Sequence, residues 1–216
     1  MTLPKACIFD LDGVIVDTVP AHYVAWKAMA DELNIPFSET DNEQLKGVSR
    51  TESMKRILAM GGIEKSNIEI EEMTTKKNYI YVDIISKMTP EDVLPGVVRF
   101  LDLLDQNHIQ IALGSSSKNA PTILKAVGLA DRFKVSVDGN QISHSKPHPE
   151  VFLLGADRMG LNPSECVVFE DAISGVQAAK RGNFKCVGVG DPQVLNEADL
   201  VVPDMKNIDL TIFENI

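Results

Sequence analysis

Six short runs, at residues 6–9, 109–113, 133–137, 166–169, 185–189 and 200–202, are rich in apolar residues, and runs such as 6–9 and 166–169 are apolar without alternation. A strand with one wet face alternates apolar and polar residues. A strand apolar on both faces must be covered on both, which is the condition of a parallel sheet sandwiched by helices. Helical patterns fill the gaps between the later runs: 97–104 after Pro95-Gly96, 119–127 before Gly128, 150–159 after Pro149, and 173–181 before Gly182. Proline near helix starts and glycine just past helix ends is the expected asymmetry. The alternation predicts an α/β fold, a doubly wound, Rossmann-like parallel sheet.

After the first run the alternation stops. From about 18 to 89 the pattern is helical: 19–33, then Ser49-Arg50-Thr51-Glu52 as a capping box opening 54–60, a stop at Gly61-Gly62, and a longer helix over 68–88. A stretch without strand signal inside a βα unit predicts an inserted all-helical cap domain over 17–89, between core segments 1–16 and 90–216.

Composition removes several functions. With 21 basic and 31 acidic residues the net charge is −10, so there is no basic stripe for a nucleic-acid backbone or an anionic membrane surface. No apolar stretch reaches the roughly 18–20 residues of a membrane span, and the N-terminus lacks signal-peptide character. The expectation is a soluble, cytoplasmic monomer with a small-molecule substrate. Cys7, Cys166 and Cys186 each sit in an apolar run and read as reduced core residues. His22, His108, His144 and His148 show no metal-ligand spacing.

The chemistry concentrates where strands end. In Phe9-Asp10-Leu11-Asp12-Gly13-Val14, residues i and i+2 of a strand share a face, so Asp10 and Asp12 are expected to converge at the sheet's C-terminal edge. Gly13 permits a sharp turn that leaves them open. The pair suits a nucleophilic carboxylate, Asp10, beside an acid and base, Asp12; the plain alternative is two aspartates closing a turn. Gly114-Ser115-Ser116-Ser117-Lys118-Asn119 follows the second run and opens a helix, offering hydroxyls and N–H groups to a phosphate, or only a serine cap. Lys146, in Ser145-Lys146-Pro147-His148-Pro149, is a cation placed just before a helix start, where a bound anion would relieve the electrostatic conflict. Glu170-Asp171 ends the fourth run. If Asp10, Asp12, Glu170 and Asp171 converge, each like-charge pair at about 4 Å costs up to about 4 kcal/mol at an effective dielectric near 20. A hard divalent cation with oxygen ligands, Mg2+, is the natural remedy.

These motifs, in this order, resemble the haloacid dehalogenase superfamily over nearly the whole chain. The resemblance implies that Asp10 is the nucleophile and that Asp12 marks a phosphoryl-transferring member. It also implies that the serine-rich loop holds phosphate and that Lys146 holds the transferring group. Within the cap, His22, Trp26, the run Asn42-Glu43-Gln44-Leu45-Lys46-Gly47-Val48-Ser49-Arg50 and Lys77-Asn78 are similar to the sugar-phosphate mutases of that superfamily. That likeness implies interconversion of β-glucose 1-phosphate and glucose 6-phosphate through glucose 1,6-bisphosphate. Arg50 would bind the non-transferring phosphate with Ser117 and Asn119, Thr18 would lie at a hinge, and His22 and Lys77 would link cap closure to Asp12. Plain alternatives stand beside these: Trp26 as cap core, and His22, Lys77 and Arg50 as surface residues. Gly114 and Ser116 stand where the family pattern has alanines. The rival functions are a sugar- or polyol-phosphate phosphatase of the same fold and a non-catalytic sugar-phosphate-binding protein.

Overall fold

A computed structural model describes residues 3–46 and 48–216; Gly47, expected in the phosphate-binding loop, lies outside the described residues. The chain divides into two compact units, one formed by residues up to 17 with 89–216 and the other by 18–88. Each border lies one residue from the expected one.

The first unit carries a sheet of β1 (Ala6–Phe9), β2 (Gln110–Gly114), β3 (Val135–Val137), β4 (Cys166–Glu170), β5 (Lys185–Val189) and β6 (Leu200–Val202). Its order is β3-β2-β1-β4-β5-β6, and every pairing is parallel. Chain order reverses between β1 and β4, which places the crevice of a doubly wound sheet beyond their C-terminal ends. The central strands β1 and β4 are buried on both faces, as their unbroken apolar runs require, whereas the edge strands β3 and β6 are only half-buried. On one side Ile8 and Val168 pack with Phe152, Val176 and Phe184. On the other, Phe9 stacks on Phe169 with ring centroids 4.7 Å apart, and Phe100 meets both edge-on. Such a ring pair adds about 0.5–1.5 kcal/mol beyond its burial. It also locks register: Phe9 faces Phe169 across the ladder, so the residues that follow each of them emerge side by side. The third strand is shorter than its apolar run, because Phe133 turns into the core after a short 3-10 turn and pairing starts only at Val135. All three cysteines are free and buried, and burial pushes each thiol pKa up, as inert core residues require.

The second unit is all-helical: α1 (Val19–Glu32), α2 (Glu39–Glu43), α3 (Arg50–Met60) and α4 (Asn67–Ile85). Its core holds Trp26, Met29, Ile35, Met54, Ile57 and Ile70. Helix α2 falls between the first two helices that the sequence pattern predicts, where that pattern assigns no separate helix. It is built by a capping box in which Ser38 Oγ accepts from Asp41 N (3.3 Å) and Asp41 Oδ2 accepts from Ser38 N (2.8 Å). The box expected at Ser49 is only half made: Ser49 Oγ accepts from Glu52 N (3.3 Å), while Glu52 pairs with Arg56 at 3.6 Å. Among the described residues no helix is long and apolar enough to cross a membrane.

The first unit's helices follow as α5 (Val97–Gln106), α6 (Ala120–Ala126), α7 (Glu150–Arg158) and α8 (Ile173–Arg181), each between strands.

Candidate active site

Strand β1 ends at Phe9, so Asp10 and Asp12 stand in the turn beyond the strand rather than on its face as expected. The turn brings them together by another route. Gly13 N donates to Val16 O (2.7 Å), Gly13 takes φ +80°, and Asp12 N folds back to donate to Asp10 Oδ2 (3.0 Å). A β-carbon on Gly13 would fall 2.1 Å from Asp171 Oδ2, so glycine serves here both the positive φ and the close approach of that carboxylate. Asp10 N donates to Phe169 O (2.9 Å), continuing the β1–β4 ladder by one more residue.

Lys146 is the hub. Its Nζ donates to Asp10 Oδ1 at 2.5 Å and to Glu170 Oε1 at 2.7 Å, and it lies 4.7 Å from the centre of the Phe152 ring. The three charged side chains are at least nine-tenths buried. The cation before α7 is therefore neutralised by two carboxylates from the neighbouring strand ends, and the anion expected to resolve its position is not required for that. Burial opposes the Lys146 ammonium, but Asp10 and Glu170 outweigh it and hold its pKa above the usual lysine range. Burial pushes the Glu170 carboxyl up, Asp10 adds to the shift, and Lys146 offsets it in part. Glu170 Oε2 also accepts from Ala172 N (2.7 Å), ahead of α8. Of the four expected carboxylates, Asp10 and Glu170 are joined by Lys146, and Asp171 lies against the Gly13 turn that follows Asp12.

The serine loop leaves β2 and is braced from within. Ser115, buried, accepts at Oγ from Ser117 N (3.0 Å), and Ser117 Oγ accepts from Asn119 N (3.2 Å). The Ser116 hydroxyl is buried with no hydrogen-bond partner among the described residues, an arrangement that costs about 1–3 kcal/mol unless a ligand supplies a partner. Lys118 is exposed, and its carbonyl accepts from Asn140 Nδ2 (2.9 Å).

In the helical unit, Lys77 is not solvated but 2% exposed. Its Nζ donates to His22 Nδ1 (2.9 Å) and lies over the rings of Trp26 (4.5 Å) and Tyr81 (4.4 Å). Tyr81, which the sequence reading passed over, also faces the His22 ring at 4.2 Å. Burial, then Lys77, then Arg50 drive the His22 pKa well below 6.5, so the imidazole is neutral. Arg50, half-buried, opens α3, and burial lowers its pKa. Thr18 is buried at the start of α1, its carbonyl accepting from His22 N (2.9 Å). Trp26 is core, as its plain reading had it, and one wall of the Lys77 pocket as well. Lys46 is exposed and paired with Glu43 (2.9 Å), Val48 N donates to Leu45 O (3.1 Å), and Ser49 caps α3.

The histidine reading needs correction. His144 and His148, taken as scattered, come together with Glu150 at the loop that carries Lys146. The four-residue spacing holds no regular helical signal there, which is why periodicity misses it.

Comparison with known proteins gives a consistent picture. The family model of haloacid dehalogenase-like hydrolases matches residues 4–183. The chain is 44% identical over 210 residues to β-phosphoglucomutase of Bacillus subtilis, covering 96% of this chain and 93% of that protein. It is 30% identical over 204 residues to a phosphorylated carbohydrates phosphatase of Thermotoga maritima, covering 91% and 92%. In structure it is similar to β-phosphoglucomutase from Clostridium difficile, with a TM-score of 0.92, 39% identity, and 98% and 96% of the two chains covered.

Proposed function

We propose that this chain, which belongs to the haloacid dehalogenase-like hydrolase family, is a β-phosphoglucomutase that interconverts β-D-glucose 1-phosphate and glucose 6-phosphate. The observation that carries the reading is a likeness to the Bacillus subtilis mutase running through 96% of the chain, the helical unit included. The core residues alone fit a phosphatase equally well, since phosphoryl transfer to a sugar and to water use the same nucleophile.

Asp10 is the nucleophile. Lys146 holds one carboxylate oxygen and Asp12 N the other, so the group is oriented before substrate arrives. In the first half-reaction the sugar's 6-hydroxyl gives its proton to Asp12 as its oxygen attacks the phosphorus on phosphorylated Asp10. The bond from phosphorus to the Asp10 oxygen breaks and glucose 1,6-bisphosphate forms. After the intermediate reorients, Asp10 attacks the 1-phosphoryl group, the C1 oxygen leaves, and Asp12 returns the proton to it. The Ser116 hydroxyl, with Ser115, Ser117, Lys118 and Asn119, lines the cradle for phosphate. In the helical unit Arg50 recognises the phosphate that is not being transferred, its guanidinium matching phosphate oxygens two at a time.

The donor set at the sheet edge fits Mg2+: Asp10 and Glu170 share the single cation Lys146, Asp171 lies against the Gly13 turn that follows Asp12, and carboxylate oxygens are hard ligands. Asp10, Asp12, Glu170 and Asp171 would hold the ion, which offsets charge on the transferring phosphoryl group. We read the enzyme as a monomer working in the cytoplasm, with Thr18 at the hinge between its units.

The deciding experiment offers β- and α-glucose 1-phosphate, separately, with Mg2+ and a trace of glucose 1,6-bisphosphate. Glucose 6-phosphate from the β anomer, dependent on the bisphosphate and abolished by Asp10→Asn and by chelator, is the expected result. Release of inorganic phosphate alone would replace the mutase with the phosphatase.

A further inference from the structure

His144 and His148 flank Lys146 at two residues' distance on either side, and Glu150 opens α7. Their ligand atoms all lie within 4.8 Å of one another. None of the three has a part in the phosphoryl transfer described above. The carboxylate is held from behind by the main chain: Glu150 Oε1 accepts from Ser143 N (2.8 Å) and Oε2 from His144 N (2.9 Å). The same Oε2 lies 2.8 Å from His144 Nδ1 and 3.8 Å from His148 Nδ1. The two imidazoles face each other with centroids 4.6 Å apart and planes 34° off parallel. Both histidines are exposed.

We propose that His144, His148 and Glu150 form a binding site for a divalent transition-metal ion, Zn2+ foremost, with a further position left to water. Two imidazoles and one carboxylate make a donor set that suits Zn2+. Mg2+ takes oxygen ligands and keeps its waters, so this site turns away the ion that the sheet edge favours. Bonds of about 2.0–2.2 Å to a tetrahedral ion set its ligand atoms ~3.4 Å apart. Both imidazoles are exposed and can turn toward an ion, His148 giving up the contact in which its Nδ1 accepts from Glu150 N (3.3 Å) where that nitrogen is the ligand. The Ser143 and His144 amides already orient Glu150, which is the outer support that raises metal affinity. Zn2+ takes the place of the His144–Glu150 hydrogen bond and ties both shoulders of the loop that delivers Lys146 to Asp10 and Glu170. The site is thus separate from phosphoryl transfer in chemistry and adjacent to it in chain.

Zn2+ uptake by equilibrium dialysis against excess Mg2+ tests this on the full chain and on His144→Ala, His148→Ala and Asp171→Ala. The unsubstituted chain and Asp171→Ala should each hold one Zn2+ more than either histidine variant, whose affinity should fall at least about tenfold. Co2+ as a spectroscopic probe should give the ligand-field absorption of a low-coordinate N/O site in the same two proteins and lose it in the histidine variants. Far-ultraviolet circular dichroism checks that the variants are folded, and both substituted histidines are exposed. Equal Zn2+ uptake and equal Co2+ spectra in all four proteins would overturn the proposal, as would loss of both in Asp171→Ala with retention in the histidine variants.

Discussion

His22 shows what a single buried titratable group does to a small helical unit. Its Nδ1 accepts from Lys77, so the ring proton sits on Nε2 and the imidazole cannot charge without losing that bond. Burial first, then Lys77 and Arg50, lower its pKa far below the ordinary 6.5. The folded state therefore binds fewer protons than the unfolded chain once the pH drops to that value. Stability falls as pH falls through 6.5 and keeps falling until the folded pKa is reached; above it the contribution is flat. Trp26 is the chain's single tryptophan and lies in this cluster, so its fluorescence reports the unit directly. Urea titrations from about pH 7.5 down to about pH 5 should show a falling midpoint for the unsubstituted chain and a flatter profile for His22→Gln, which cannot titrate. Parallel profiles would place the pH dependence elsewhere. His22 with Trp26, and Lys77 with Tyr81, are four residues apart on α1 and α4, so each pair lies on one helix face. That spacing was legible, and it carried the partnership of Lys77 with Tyr81 that motif reading left out. The destination of Lys146 was legible only through the family resemblance: nothing local says that a lysine before a helix reaches two strand ends remote in sequence, and its pairing with Glu170 was not foreseen.

At the scale of elements, the central strands were read well because burial on both faces leaves a continuous apolar signature. Helix α2 was missed because five residues cannot show a helical period; Ser38 and Asp41, its capping pair, were the only signal. Helix α8 carries a conflict between local preference and tertiary contact. Gly175 lies inside it, and by propensity alone alanine there would stabilise by about 1 kcal/mol. An alanine β-carbon would fall 1.7 Å from Glu170 Oε1 and 1.9 Å from its Cδ. That carboxylate is held by both Lys146 and Ala172 N and has nowhere unstrained to go. Gly175→Ala should therefore destabilise by about 1–3 kcal/mol and lower turnover together with it, because Glu170 sets the position of Lys146. Thermal melts and initial rates on the same preparation check both. A more stable, fully active variant would mean that helix propensity governs this position.

Across the whole molecule, the two units divide the work by chemistry. On the reading proposed above, the sheet edge of the first supplies the groups that meet the transferring phosphoryl: Asp10, Asp12, Lys146 and the serine loop. On the same reading the helical unit supplies Arg50 for the phosphate that is not transferred, and Lys77 and His22 take no part in bond making. The insertion of that unit was readable from the loss of alternation after Asp17, whereas its substrate was readable only through likeness of the stretch ending at Arg50. The division makes a prediction that the core alone would not. Arg50→Ala should cost the bisphosphate-dependent reaction roughly tenfold to over a hundredfold, the worth of a charge-assisted contact of about 1.5–3 kcal/mol or more. Cleavage of acetyl phosphate, which has no second phosphate, should change little, since Asp10 and Lys146 are untouched. Arg50→Lys should recover only part of the loss, because a point charge cannot reproduce the two-pronged guanidinium contact. Both rates are to be measured at one Mg2+ concentration for the three proteins. Equal losses in the two reactions would make Arg50 a support of α3, and no loss in either would move the phosphatase ahead of the mutase.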